Sequence, residues 1–557
     1  MNRVQAGWAL IAGIVLATLT EAITSSVLAL ARNDIIGDTA ATPDEFAWLD
    51  VSYIACKLTG FLLAPWLLGR LGPRNLLLSA TALMGVACLA ATLSLQLQWL
   101  IALRVVQGLA GGTLLVAGQA ALFYGFESRR QPTLQALFAI GSVVAPGTLA
   151  PALQGWLIDT RSWGWVFFSA VPLATVAMAL IAHAGWPRAL RPPAQRFDWL
   201  GMALIAASLG GFTYLLSQGN RWDWFEQAHI RWVAVLALAS LLAPFGQQAM
   251  RKGPGVFDFT LFRTYDFTFA FIVSFVAGAA LFGSAYLIPA FALSMLAFTP
   301  TDAGLLLLPS AGLFIAALLL AAWLFQVRKV APFATVPFGI LLIMLAMWML
   351  AHVSGESGAQ DMTPAILLRG LGLGFLFLSI TLIAFSGLNH ENLAAGIGLF
   401  NTGRQLGGLL GVAGLQTLID HQVAVNGVVL GAHVVNGAPA VVQRLATTGT
   451  LLSGKGMGPE AGQAAITLLG RSVATQAGVI AFDTAFYAVA LLFVVAAPVL
   501  VGIKVLLARR AKHASSERSL LIASNPCEGA SNESIPDRPF PWRRVVHPTP
   551  PGQHGGP

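Results

Sequence analysis

A carboxylate and an amine interrupt two long apolar stretches near the N-terminus. Glu21 stands in Leu19-Thr20-Glu21-Ala22-Ile23-Thr24-Ser25-Ser26, and Lys57 in Tyr53-Ile54-Ala55-Cys56-Lys57-Leu58-Thr59-Gly60. A low-dielectric layer disfavours charge, so a carboxyl held there takes up a proton more readily than in water, and an amine there seeks a counter-ion. At a helical rise of ~1.5 Å per residue, Glu21 lies ~15 Å from the far end of its run and Lys57 ~13 Å from Trp48 at the matching end of the next. These similar depths predict a Glu21–Lys57 pair that opens when Glu21 is protonated or when an anionic group reaches Lys57. A permanent structural ion pair is the other reading of the same residues. Thr24 and Ser25 follow Glu21 at three- and four-residue spacing, which lays a polar stripe along one helix face, expected to line a cavity.

Arg104 and Gln107 share one face of a glycine-rich run, where hydrogen bonding to backbone carbonyls is the structural reading of the guanidinium. Arg369 and Arg404 are cations of the same kind in the second half of the chain and are expected to be structural. Asp483 is expected about one turn into the last apolar run, where an interfacial role competes with proton carriage. His183 and His390 fall near helix ends and receive no role. Gly108, Gly111, Gly112, Gly155, Gly407, Gly408 and Gly411 permit close helix approach. Pro146 and Pro151 remove backbone donors and should bend their helix. The three cysteines, Cys56, Cys88 and Cys527, provide neither a disulfide framework nor metal-ligand spacing, so no metal or cofactor is expected.

The elements that must hold these residues follow from composition. Hydrophobic residues make up 56% of the 557-residue chain and charged residues 10%, with a mean hydropathy of +0.74. A water-facing surface needs roughly 25% charged residues, so most of this surface must face lipid. Lipid requires a self-satisfied backbone, and continuous apolar runs of roughly 20 residues indicate helices rather than barrel strands. Runs long enough to cross the hydrocarbon lie near 8–31, 47–69, 75–95, 99–124, 132–158, 165–185, 199–217, 231–249, 267–297, 302–326, 333–353, 364–387, 394–420 and 478–507. The first is too long for a signal-peptide core and is read as a span.

Short connections on one side carry Arg70, Arg74, Arg129, Arg130, Arg188, Arg191, Arg196, Arg251, Lys252, Arg263, Arg328 and Lys329. Those on the other carry Arg32, Arg161, Arg221 and Arg231. That bias places both termini in the cytoplasm, with Arg509, Arg510 and Lys512 just after the last span. It also accounts for the net charge of +8 without nucleic acid as a partner. The segment 421–477 becomes a long outside loop, and 513–557, rich in Ser, Pro and Gly, a disordered tail.

The chain also repeats itself. Leu103-Arg104-Val105-Val106-Gln107-Gly108-Leu109-Ala110-Gly111-Gly112 in the fourth span resembles Leu368-Arg369-Gly370-Leu371-Gly372-Leu373-Gly374 in the twelfth. The following span of each half closes alike, on Leu157-Ile158-Asp159 and Leu418-Ile419-Asp420. Parallel six-span repeats mark transporters whose halves rock about a central site. The expected organisation is a six-helix bundle at 1–190, an inserted helix pair at 191–255 and a second six-helix bundle at 256–512.

These residues carry a family resemblance. The Arg104–Gly112 run is similar to the fourth-span motif of the major facilitator superfamily. Ala150-Pro151-Ala152-Leu153-Gln154-Gly155-Trp156 resembles its antiporter motif in the fifth span. Phe197-Asp198-Trp199-Leu200-Gly201 resembles the entry to an inserted pair, and Leu399-Phe400-Asn401-Thr402-Gly403-Arg404-Gln405-Leu406-Gly407-Gly408 the thirteenth-span signature. Together they extend over nearly all the membrane region and identify the fourteen-span drug:proton antiporter branch, the EmrB/QacA type.

The resemblance implies an all-α major facilitator fold and proton-coupled efflux of amphipathic drugs or toxic small molecules across a bacterial inner membrane. An exporter of a specific metabolite, organic acid or siderophore is the alternative. Weakly acidic or neutral amphipathic compounds fit Lys57 and the arginines better than polycations do. Glu21, Lys57, Arg104 and Asp483 become candidates for proton coupling, and Thr24, Ser25, Tyr53, Gln107 and Arg404 for substrate binding. Gly108, Pro151, Gly155, Arg70 and Arg74 become packing or gating residues. A possible periplasmic adaptor protein and outer-membrane channel are implied as partners, with 421–477 either a docking segment or a plain linker.

Two departures qualify the match. The loop Gly69-Arg70-Leu71-Gly72-Pro73-Arg74 lacks the family's acidic residue, so no gating salt bridge is expected on it. The residues after Glu21 match the family's first-span pattern weakly. An ATP-driven pump is excluded, because Gly449-Thr450-Leu451-Leu452-Ser453-Gly454-Lys455-Gly456 lacks the hydroxyl that would hold magnesium. An intramembrane enzyme would need clustered acids and histidines, and a channel a filter or ring of charge. The sequence contains neither.

Overall fold

Lipid-facing helices gain little from burying apolar surface, because the surroundings are equally apolar; small residues and close backbone packing hold them together instead. The computed structural model describes residues 3–184, 186, 198–250, 262, 265–435, 437–454 and 460–524. Two compact units divide the chain, Met1–Lys504 and Val505–Pro557, and every described side chain belongs to the first.

Among the described residues there is no strand. The helices in chain order are α1 (Arg3–Thr39), α2 (Pro43–Thr92), α3 (Leu97–Gly125), α4 (Gln131–Ala139), α5 (Ala150–Thr160), α6 (Trp163–His183), α7 (Trp199–Gln218), α8 (Ala228–Met250), α9 (Tyr265–Ser294), α10 (Pro300–Gln326), α11 (Val336–Leu350), α12 (Ala359–Phe385), α13 (His390–Ala432), α14 (Pro439–Gly454) and α15 (Ala461–Ser524). Eleven helical stretches among the described residues are long and apolar enough to cross a membrane. One of these, α2, contains two of the expected spans. The apolar part of α8, Ala228–Pro244, is shorter, and α13 is more polar; with these, every expected span falls on helix.

The second and third spans are joined without the expected loop. The two rods of α2 meet at Gly72, whose φ of 76° and ψ of 161° leave the helical region for one residue. Only glycine adopts that φ without strain, and Pro73 then restarts the helix. The fifth span bends as its prolines predict. Between α4 and α5 the chain forms a π-helix over Ile140–Leu149, with Pro146 inside it.

The outside segment differs from the irregular loop expected at 421–477. Here α13 continues to Ala432, α14 follows, and α15 begins at Ala461 rather than near 478. Alanine, leucine and valine sustain helix even where glycine is frequent. The helix also runs through Ser524, so residues 513–524 of the expected disordered tail are helical. Residues 525–557 lie outside the described residues, as do Arg188, Arg191, Arg196, Phe197, Arg251, Lys252 and Arg263.

Packing bears out the repeat and shifts its register. A Cβ at Gly108 or Gly112 of α3 would collide with the carbonyl oxygens of Tyr53 and Lys57 on α2. On α12, a Cβ at Gly370 would come 2.5 Å from the Ser310 carbonyl oxygen of α10, and one at Gly374 2.8 Å from that of Phe314. Gly370 and Gly374 each stand 262 positions after Gly108 and Gly112, while Ser310 and Phe314 each stand 257 after Tyr53 and Lys57. By that register Arg369 is the counterpart of Gln107, one turn deeper than Arg104. Serine and phenylalanine occupy the places of Tyr53 and Lys57, so the second half lacks the amine.

The pair α7–α8 docks on the first rod of α2. Trp48 stacks on Tyr214 at 5.1 Å between ring centroids, Trp66 meets Trp199 edge-on at 5.7 Å, and Arg221 pairs with Asp44 at 2.8 Å. The two halves meet where α10 packs along α4, the π-helix and α5, and where α13 packs on α2 and α3.

Candidate functional site

The glycine face of α3 draws α2 so close that Tyr53 and Lys57 converge on Glu21 of α1. Gly111 leaves room for the acid itself: a Cβ there would lie 2.9 Å from the Glu21 Cγ. Glu21 is 1% exposed and Lys57 8%. The Lys57 Nζ lies 2.5 Å from the Glu21 Oε1, and the Tyr53 hydroxyl donates to the same oxygen at 2.8 Å. The pair predicted from equal depth is therefore formed, with a phenol as third member.

Arg104, 1% exposed, stands beside this group with its guanidinium 4.4 Å from the centroid of the Tyr53 ring. Its Nη1 donates to the Thr24 carbonyl oxygen at 2.8 Å and to the Gln107 Oε1 at 3.2 Å, while its Nε and Nη2 have no hydrogen-bond partner. Gln107 donates in turn to the Cys88 sulfur at 3.7 Å. The expected polar stripe is spent locally. The Thr24 hydroxyl donates to the Thr20 carbonyl and meets Cys88, and that of Ser25 donates to the Ala22 carbonyl. Neither hydroxyl hydrogen-bonds to Glu21.

Sequence reasoning passed over Asp50, one turn before Tyr53, which lies within electrostatic reach of both Arg104 and Lys57. An acid at Asp50, Tyr53 and Lys57 spacing along one helix face was the available signal. The second half contributes Arg404. Its charge acts on Glu21 across the interface, its Nη2 donates to the Asn401 Oδ1 at 2.6 Å, and it lies 5.0 Å from the Phe377 ring centroid. Beside it is a small, partly open pocket lined by Ser274, Phe314, Phe377, Thr381, Phe400 and Arg404 among others. Lys57 and Arg104 thus stand beside two acids, Glu21 and Asp50, while Arg404 lies within electrostatic reach of Glu21 from the second half.

Other expected residues lie elsewhere. Asp483 is deep within α15, where it acts on His352 after α11; the Tyr487 hydroxyl and the His352 Nε2 are 3.1 Å apart. Asp483 is thus neither near the start of its helix nor part of the Glu21 group. Arg369, 1% exposed, donates through Nε to the Ser284 hydroxyl at 2.9 Å. Arg70 lies 5.0 Å from the Trp66 ring centroid, and Arg74 donates to the Ala182 carbonyl at 2.6 Å. Neither forms an ion pair among the described residues.

Pro151 and Gly155 sit at the crossing of α5 and α10. A Cβ at Gly155 would come 2.5 Å from the Pro300 carbonyl oxygen, and one at Gly304 2.5 Å from that of Pro151. Just beyond, Asp159 caps α10 by accepting from the Thr301 amide at 3.1 Å and from the Thr301 hydroxyl. At the opposite end the Tyr124 hydroxyl donates to the His390 carbonyl at 3.0 Å, and Thr133 to the Gln326 Oε1 at 2.5 Å. The halves therefore touch on both sides of the central group.

The family model described as Major Facilitator Superfamily matches residues 10–412. The chain is 24% identical over 426 residues to the Colistin resistance protein EmrB of Acinetobacter baumannii, covering 76% of this chain and 82% of that one. It is 26% identical over 408 residues to the Multidrug export protein EmrB of Escherichia coli K12, covering 72% and 77%. To the protein of the same name from Haemophilus influenzae it is 28% identical over 399 residues, covering 72% and 78%.

Proposed function

Because the chain belongs to the major facilitator superfamily, we propose that this multi-pass membrane protein exports amphipathic small molecules in exchange for protons by alternating access. The observation that carries the reading is the buried Glu21–Lys57 pair, shared with Tyr53. The relatives named for multidrug export support the direction of transport.

The chemistry follows from the geometry. While Glu21 is ionised it satisfies Lys57 and accepts from Tyr53. A hydrogen-bond donor of substrate takes the place of Lys57 on the ionised carboxylate, whereas a proton on Glu21 removes that acceptor and releases the substrate. Loss of the proton then restores the pair, so proton and substrate compete for the one carboxylate. Arg104 and Arg404 hold the surrounding field positive. Tyr53, Gln107, Phe377 and Arg404 line the substrate space, while Thr24 and Ser25 shape it through α1. Asp483 lies apart from this group, near His352.

The excess of cations over acids favours a second, narrower reading, in which the cargo is a weakly acidic amphipath or an organic acid. Both readings place the protein in a bacterial inner membrane with both termini cytoplasmic. Its bundles span 1–190 and 256–512 around the inserted pair at 191–255. The segment 421–477, with the end of α13, α14 and the start of α15, is the proposed contact for a periplasmic adaptor and, through it, an outer-membrane channel.

The test is substrate-triggered proton flux in liposomes containing the full chain and an internal pH dye, with amphipathic cations, neutral compounds and weak acids offered in turn. Proton movement with a broad panel supports multidrug export, and movement with weak acids alone supports the narrower reading. Transport of a panel compound without proton movement would refute the coupling.

A further inference from the structure

Four buried side-chain amides form a head-to-tail chain between the centre of the molecule and the cytoplasmic end of α3. Arg404 of α13 donates to the Asn401 Oδ1 at 2.6 Å, and the Asn401 Nδ2 donates to the Gln119 Oε1 of α3 at 3.4 Å. Gln119 donates to the Gln135 Oε1 of α4 at 3.0 Å, and Gln135 to the Gln131 Oε1 at 3.3 Å. Gln131 ends the chain by donating to the carbonyl oxygens of Leu122 and Phe126 at 3.0 and 3.1 Å. All four amides are at most 6% exposed.

The direction of this chain is fixed at both ends. A guanidinium only donates, so Asn401 must turn its oxygen toward Arg404 and its amino group toward α3. The carbonyls of Leu122 and Phe126 only accept, so Gln131 must turn its amino group toward them. Each amide between has one orientation that satisfies both neighbours, and reversing any of them would bring two acceptors or two donors face to face. Amides are poor proton carriers, so the chain is a mechanical link rather than a proton wire. Its longest bond, Asn401 to Gln119, is the one that crosses between the halves.

Resting on the alternating-access reading above, we infer that the amides Asn401, Gln119, Gln135 and Gln131 form a polarised latch that holds the cytoplasmic side closed. Arg404 sets its polarity. Breaking the Asn401–Gln119 bond releases α13 from α3.

The experiment measures the distance between spin labels at Arg129→Cys and Glu391→Cys, exposed sites on the cytoplasmic ends of the two halves. The full chain is used in nanodiscs, with Cys56 and Cys527 replaced by alanine. Asn401→Asp keeps the size and strengthens the Arg404 contact but cannot donate to Gln119, so a several-fold rise in the long-distance population is expected. Gln119→Glu keeps an acceptor for the Asn401 Nδ2 and is expected to stay closed, whereas Gln119→Met, which offers no oxygen there, is expected to open as Asn401→Asp does. The double variant Asn401→Ala, Gln119→Ala should open no further than either single change.

Unchanged distances in Asn401→Asp or Gln119→Met, open distances in Gln119→Glu, or additive effects in the double variant would each overturn the latch. Open distances in Asn401→Asp and Gln119→Met together with export that moves no protons would keep the latch and sink the proton-coupling reading instead.

Discussion

One oxygen of Glu21 serves both Lys57 and Tyr53, so removing the amine strands an ionised or newly protonated acid in a site that is almost fully buried. Breaking a buried ion pair on one side costs about 3–5 kcal/mol, more than removing both charges. Lys57→Met should therefore lower the thermal unfolding temperature of the detergent-solubilised protein clearly, and adding Glu21→Gln should restore most of the loss. If Lys57→Met is fully stable and still transports, the pair has no role of the kind assigned here. Glu21 and Lys57 were legible in the sequence because a charge in an apolar run is conspicuous and helical rise gives its depth. Asp50 and Arg404 were harder, since their bearing on Glu21 depends on how helices are arranged around it. Gln119 and Gln135 escaped notice because neutral amides barely disturb hydropathy, although burial makes their bonds directional.

Glycine placement decides which helices can approach. The α2–α3 contact needs Gly108 and Gly112 pressed against carbonyl oxygens, whereas a Cβ at Gly414 of α13 would meet nothing within 4 Å. Gly112→Val should thus abolish folded protein, since overpacking costs about 1–3 kcal/mol even in cores that can relax. Gly414→Val should be recovered at wild-type yield by size-exclusion chromatography; equal yields of the two variants would contradict this packing. The sequence showed the glycine runs and their repetition, and placed every span on a helix. It misaligned Arg369 with Arg104, because local similarity around one arginine outweighed the glycine spacing that fixes register. The helical segment at 421–477 was missed for a related reason. Frequent glycines suggested a loop, while the alanines, valines and leucines between them sustain helix.

At the scale of the whole molecule, both ends of the interface are engaged, and the end at Asp159 carries a cluster of acids. Burial first, and then the charges of Asp38 and Asp159, raise the Asp34 carboxyl above its usual range. A carboxyl raised in the folded state binds its proton more tightly there than in the unfolded chain. Its effect therefore favours folding as pH falls through the raised value and is lost as pH rises above it. Asp34→Asn should unfold at a higher temperature than wild type at neutral pH, and the difference should shrink on acidification toward the carboxylate range. A difference that does not change with pH would contradict the assignment. Sequence bias alone showed which loops are basic and gave an orientation, but not that the two halves would be found closed on both sides. That depends on contacts such as Asp159 with Thr301 and Tyr124 with His390, which join residues far apart in the chain. Whether the cycle between such states is driven by a proton on Glu21 is tested most directly by proton release on binding. A transported compound is added to weakly buffered, detergent-solubilised protein, and the pH change is read for wild type and Glu21→Gln. The competition of proton and substrate for one charge arrangement predicts that binding displaces about one proton per chain in wild type and none in the variant. Equal proton release from both proteins, or substrate binding without any release in wild type, would contradict it.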